Sequence, residues 1–126
     1  FKETPEFSII VGTELFLPET ILYGGHGAVA GGANFLPELF VDLYNASVAN
    51  NLEVIKILRN KVAFVNRTIY CVGKNASRIT KGIKCALSVM DICEDHMALP
   101  LRKFENRERQ KVKEILDQFE ESKVIK

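Results

Sequence analysis

Two rhythms of apolar and polar positions run along this chain. Phe7-Ser8-Ile9-Ile10-Val11 is a short β-branched run, too continuous for a half-exposed strand. It predicts a central parallel strand covered on both faces. Gly12 and Thr13 end it. From Glu14 to Tyr23, the positions Phe16, Leu17, Ile21 and Leu22 make a helical stripe. Pro18 falls in the first turn, where its missing N–H costs little. Gly24-Gly25 stop that helix, and Gly27-Ala28-Val29-Ala30-Gly31 predicts a second strand whose small residues leave room beside it. Asn34 to Glu38 is a turn into a helix with the apolar face Leu39, Phe40, Leu43 and Tyr44. Asn50-Asn51 break that helix, with Asn51 placed to cap the next.

The second rhythm is purely helical. Ile55, Leu58, Val62, Val65, Ile69 and Val72 recur at steps of three and four, predicting one long amphipathic helix from Leu52 to Val72 that Gly73 ends. Ser77 is placed to cap a further helix with Ile79, Ile83, Leu87 and Met90 on one stripe. Asp91 to Lys103 is a connection around Pro100. A closing helix from Asn106 to Glu121 packs through Val112, Ile115, Leu116 and Phe119, and Glu105 and Arg109 form an i,i+4 pair on its solvated, charged surface. Residues 1–6 read as a polar connector. Two strands with both faces buried do not make a stable open sheet alone. The order β-α-β-α followed by three helices is therefore that of part of a larger α/β fold. The chain begins at Phe1 rather than methionine and reads as a processed product or a piece of a longer protein.

Composition narrows the classes. The 126 residues are 47% hydrophobic and 26% charged, with a formal net charge of +1. That suits one core and argues against a nucleic-acid partner, since no basic face stands out. No run is long enough to span a membrane and no signal peptide opens the chain, which predicts a cytoplasmic location. Cys71, Cys85 and Cys93 form no C-x-x-C pair and predict reduced, mostly buried thiols. Cys93 and His96, with Glu94 and Asp95 beside them, have a metal-like spacing but lack further ligands, and no metal is expected. The N-x-S/T triplets at Asn45, Asn66 and Asn75 read as chance matches.

Candidate chemistry gathers at the two glycine-ended strands. Strands of a βαβ unit run parallel, so Gly12 and Gly31 fall at the same end. Gly25-His26-Gly27-Ala28-Val29-Ala30 spells a dinucleotide fingerprint, but that motif must follow a strand and open a helix, whereas here it follows a helix and enters a strand. His26 precedes the second strand, at the end away from Gly12 and Gly31, and reads as structural. The residues alone leave two readings open. Gly12-Thr13-Glu14 and Val29 to Gly32 either line a pocket at the strand C-terminal ends or make tight turns and close helix packing.

Ile10-Val11-Gly12-Thr13-Glu14, the run from Gly24 to Asn34, and Leu36-Pro37-Glu38-Leu39-Phe40 resemble the seventh and eighth βα units of the dihydrodipicolinate synthase / N-acetylneuraminate lyase family. The C-terminal part is similar more loosely, through a long helix, Lys81-Gly82-Ile83-Lys84, Leu99-Pro100-Leu101 and the closing amphipathic helix. The resemblance implies the C-terminal part of a (β/α)8 TIM barrel: residues 1–50 as its last two βα units, and residues 51–126 as a three-helix extension. It also implies a homo-oligomer that condenses or cleaves pyruvate and related 2-oxo acids through a lysine Schiff base, with no cofactor. The family's lysine and proton-relaying tyrosine lie on earlier strands, in an N-terminal half that would be this chain's partner. A barrel takes about 250 residues.

The residues agree with that division. Neither strand carries a lysine, and Tyr23, Tyr44 and Tyr70 fall on helices, so the chain alone is not expected to form the imine. The resemblance places Gly12, Thr13, Glu14, Val29 and Gly31 on the substrate wall. Gly31 stands where sialic-acid lyases carry a serine, which turns the expectation toward a 2-keto-3-deoxygluconate aldolase or a dihydrodipicolinate synthase. The rival reading is a non-catalytic interaction module that assembles through uncovered strand edges and helix faces.

Overall fold

The computed structural model describes residues 6–124, so most of the expected connector at residues 1–6 lies outside the described residues. The chain divides into two compact units at Phe64/Val65.

The first unit is built on a parallel pair, β1 (Ile10–Val11) and β2 (Gly27–Ala28), in the register Ile10 to Gly27 and Val11 to Ala28. Both strands are shorter than their apolar runs predict. Each finds only one ladder partner among the described residues, and Ile10 is 55% exposed rather than covered on both faces. A 3-10 turn (Glu14–Phe16) leads into α1 (Leu17–Leu22), with Pro18 in its first turn as expected. The tighter turn shifts the phase of the predicted stripe. Leu17 and Pro18 are buried, while Phe16 and Leu22 are exposed.

The turn after α1 explains both of its glycines. Gly24 takes φ +90°, and the Gly25 N–H donates to the Thr20 carbonyl at 2.7 Å, so close that an added Cβ would lie 2.8 Å from that oxygen. His26 then ties the turn to β1 twice. Its N–H donates to Ile9 O at 2.8 Å, and its Nδ1 accepts the Ile9 N–H at 2.9 Å. That is a structural histidine, and the fingerprint spelling is a turn.

A second 3-10 turn (Gly31–Asn34) follows β2 and opens the way to α2 (Pro37–Val48). Leu39, Phe40 and Leu43 of α2 are buried as expected, with Leu43 fully enclosed, whereas Tyr44 stays exposed. Asn50 takes φ +53°, and Asn51 Oδ1 accepts the Val54 N–H at 3.2 Å, the predicted cap of α3 (Leu52–Arg67). Arg59 of α3 pairs with Glu19 of α1 at 2.6 Å.

In the second unit, the predicted helix to Val72 stops at Arg67. Thr68 leaves helical geometry at φ −116°, and Ile69–Cys71 form a 3-10 turn before Gly73 takes φ +85°. Ile69 and Val72 are still buried, because a three-residue turn returns them to the same side as a helix would. Next comes α4 (Arg78–Val89); Ser77 sits at its N-cap but makes no side-chain capping bond. The buried face of α4 is Gly82, Cys85 and Ala86, not the predicted Ile79, Ile83, Leu87 and Met90 stripe. Close backbone approach decided this. A Cβ on Gly82 would lie 2.8 Å from Ile69 O, so only small residues fit against the 3-10 turn. Ile79 and Met90 are left exposed.

The predicted connection follows, with a cis Leu99–Pro100 bond, and leads to α5 (Asn106–Val124). Val112, Leu116 and Phe119 of α5 are buried, and α5 packs on α4. The expected Glu105–Arg109 pair does not form. Arg109 instead donates to Ser88 Oγ at 3.0 Å and approaches Asp95 at 3.6 Å, where a buried carboxylate and a fixed hydroxyl hold a guanidinium better than a solvated glutamate. The three cysteines are free, but only Cys85 is buried; Cys71 and Cys93 are exposed, against the expectation of mostly buried thiols.

Candidate functional site

The C-terminal ends of β1 and β2 come together as the parallel register requires. The Val29 N–H donates to Val11 O at 2.9 Å, which sets Val29 beside Gly12. Gly12 and Thr13 are exposed, and Val29 is 74% exposed. Gly12 is required neither by a turn nor by packing. Its φ is not positive, and a Cβ there would meet nothing within 4 Å. A glycine facing open space at a strand end lets another molecule approach the backbone closely.

Glu14 behaves differently from its neighbours. It is only 5% exposed, and its Oε2 accepts the Gly32 N–H at 2.9 Å. The carboxylate thereby meets the start of the 3-10 turn that carries Gly31, where backbone N–H groups point outward and favour negative charge. Asn34 closes the same turn by donating from Nδ2 to Gly31 O at 2.8 Å. Gly31 is thus bracketed by two hydrogen-bonded side chains. The Asn34 bond, three residues back, is a local signal readable from sequence. The Glu14–Gly32 bond spans 18 residues and has no local signature.

Beside β2 lies a groove of about 350 Å³ lined by Leu17, Gly27, Ala28, Ala30, Ala33 and Phe40, among others. The small residues leave room there, as expected. Its lining is almost wholly apolar, which suits an apolar neighbour rather than a carboxylate-bearing substrate.

In the second unit, Asp95 is buried and paired with Lys103 at 3.4 Å as well as with Arg109. Burial pushes the Cys85 thiol pKa up; the Arg109 charge opposes this and Asp95 adds to it. His96 pairs outward with Glu94, and Asp95 turns inward, so the paper metal set around Cys93 is dispersed. Among the described residues no group of three or more metal-ligating side chains assembles, and no helix is long and apolar enough to cross a membrane.

Comparison with known proteins identifies the class. The solved dihydrodipicolinate synthase from Bacteroides thetaiotaomicron superposes with a TM-score of 0.90 at 47% identity, covering 93% of this chain and 39% of that one. Its fold is a TIM barrel, and this α/β chain, with two strands among the described residues, corresponds to part of it. The dihydrodipicolinate synthetase family model matches residues 1–119, and the chain belongs to that family. The family expected from the glycine-rich stretch is borne out. Among curated relatives, 4-hydroxy-tetrahydrodipicolinate synthase of Neisseria meningitidis is 29% identical over 101 residues, 79% of this chain and 33% of that protein. A protein of Escherichia coli K12 named a probable 2-dehydro-3-deoxy-D-pentonate aldolase is 40% identical over 58 residues, 46% of this chain and 19% of that protein. The chain spans a minor part of the length of the relatives it matches.

Proposed function

We propose that this chain supplies the last two βα units (residues 1–50) and the helical extension (residues 51–126) of a pyruvate-dependent, Schiff-base aldolase or lyase. Its nearest activities are 2-keto-3-deoxygluconate aldolase and dihydrodipicolinate synthase. In this reading the chain forms part of the substrate wall and leaves the nucleophile to a complementary N-terminal part of the barrel. Gly12, Thr13, Val29 and Gly31 face the 2-oxo acid, and Glu14 holds the Gly31 turn in place. The observation that carries the reading is the open strip at the C-terminal ends of two parallel strands, where barrel enzymes place their sites. No lysine occurs between Lys2 and Lys56, so neither strand offers an imine-forming amine. Reductive trapping tests the division of roles. Pyruvate with borohydride adds no mass to this chain alone and labels the intact gene product on a lysine outside residues 1–126. Labelling within this chain would overturn the assignment.

The alternative, a non-catalytic module that assembles through its uncovered edges, draws on one observation. Phe7, Ile10 and Tyr23 are exposed around a two-stranded sheet whose outer edges find no further strand among the described residues. Size-exclusion chromatography of the isolated chain tests it: a compact, stable monomer counts against the module.

A further inference from the structure

We propose that the second unit carries a binding site for a small, multiply charged phosphoryl anion, in the concavity where α4 begins and the chain enters α5. The concavity holds about 380 Å³. Five cations line it, Lys74, Arg78, Lys81, Arg102 and Lys103, against two carboxylates, Glu105 and Glu108. In a chain with a formal net charge of +1, that local excess is not the background mixture of signs.

The cations are not used up by one another's counter-ions. Of these five, only Lys103 is in an ion pair among the described residues, with Asp95 at 3.4 Å. Arg78 is held in place by donating Nε–H to Tyr70 O at 2.9 Å, which leaves its terminal nitrogens for a further acceptor. Lys81 stands over the Phe104 ring, 5.7 Å from its centroid, on the same wall. Neither Glu105 nor Glu108 comes within ion-pairing distance of these groups, although both line the same space.

The start of α4 points the same way. Its first turn holds no acidic residue and Ser77 makes no side-chain cap, yet Arg78 and Lys81 sit at this positive end of the helix. Cations there oppose the helix dipole and repel Lys74, Arg102 and Lys103. An anion in the concavity reverses both terms. It takes charge-assisted hydrogen bonds from guanidinium and ammonium groups at the positive end of the helix. Several cations around a small volume suit the clustered charge of phosphoryl oxygens better than a single carboxylate. Glu105 and Glu108 bound the patch, so it does not extend into the basic stripe a nucleic acid needs.

Calorimetric titration of the intact gene product tests this, with inorganic pyrophosphate as the probe, inorganic phosphate as the weaker arm and pyruvate as the singly charged control. Saturable binding of one pyrophosphate per chain is expected, tighter than phosphate and weakened by salt. Neither Lys74 nor Arg102 has a recorded side-chain partner among the described residues, so the double variant Lys74→Gln/Arg102→Gln should fold as the parent does. It should lower pyrophosphate affinity by at least about tenfold. Lys111→Gln, on the exposed surface of α5, should leave affinity unchanged. Absence of saturable binding, equal loss in the Lys111 variant, or tighter binding of a single-stranded RNA oligonucleotide than of pyrophosphate would overturn the proposal. Circular dichroism of each variant keeps a folding defect from passing as lost binding.

Discussion

The two units solve the problem of enclosing a core in different ways. The first puts Leu17, Phe35, Leu36, Leu39, Phe40 and Leu43 inside but leaves Phe7, Ile10 and Val29 exposed around its two short strands. The second encloses Val65, Ile69, Val72, Cys85, Ala86, Val112, Leu116 and Phe119 with helices and a 3-10 turn alone. A parallel strand needs cover on both faces and partners on both edges, whereas an amphipathic helix needs cover on one stripe. A helical segment can therefore complete a core from a short stretch of chain, while a slice of parallel sheet cannot. The open surface of the first unit is also where the substrate wall is proposed, and the charged concavity of the second lies among helix ends rather than strand ends.

Five measurements sharpen or break this comparison. The largest effect is expected at Leu43, fully enclosed in the first unit, where Leu43→Ala should lower stability by about 2–5 kcal/mol in urea unfolding. If the loss is near zero, the first unit has no packed core of its own.

In the second unit, Gly82→Ala gains helix propensity but drives a methyl against the Ile69 carbonyl. A net loss of about 1–3 kcal/mol is expected, and a net gain would show that the α4 contact is loose.

Glu14→Ala removes the acceptor for a buried N–H and should cost about 1–2 kcal/mol. Glu14→Gln, which keeps a carbonyl oxygen, should recover much of that loss. Recovery of stability without recovery of the KM for pyruvate in the intact gene product would mean that the carboxylate also meets substrate.

The cysteines give a smaller, pH-dependent effect. Burial raises the Cys85 pKa above its ordinary 9.0, so the folded state holds the thiol proton more tightly than the unfolded chain does. The associated stability is present below that value and is lost as pH rises through the folded pKa. A disulfide reagent should modify Cys71 and Cys93 quickly and Cys85 only on unfolding. Three equally fast thiols would contradict an enclosed second core.

The smallest structural effect is expected at Gly12. With open space around it and no positive φ, Gly12→Ala should change stability by less than about 0.5 kcal/mol. In the intact gene product the same methyl should raise the KM for pyruvate by about tenfold. An unchanged KM removes Gly12 from the wall.

Much of this protein was legible in the order of its residues. Periodicity located α2 and α5, and the glycine and asparagine punctuation located the turns at Gly24-Gly25, Asn50-Asn51 and Gly73, because these depend on contacts a few residues apart and on backbone preference. The direction of the two strands ruled out a nucleotide turn and made His26 structural, and its paired bonds with Ile9 agree. The wording of Ile10 to Glu14, Gly24 to Asn34 and Leu36 to Phe40 was enough to name the family. What remained for tertiary structure was every choice made between distant segments. The stripe of α4 moved to Gly82, Cys85 and Ala86 because the Ile69 carbonyl admits no larger side chain. Arg109 left its helical neighbour for Ser88 and Asp95. Glu14 met Gly32 across the two strand ends. Local pattern sets which residues a segment can bury or bond, but the partner that takes them is set by packing at a distance, and no window of sequence contains it.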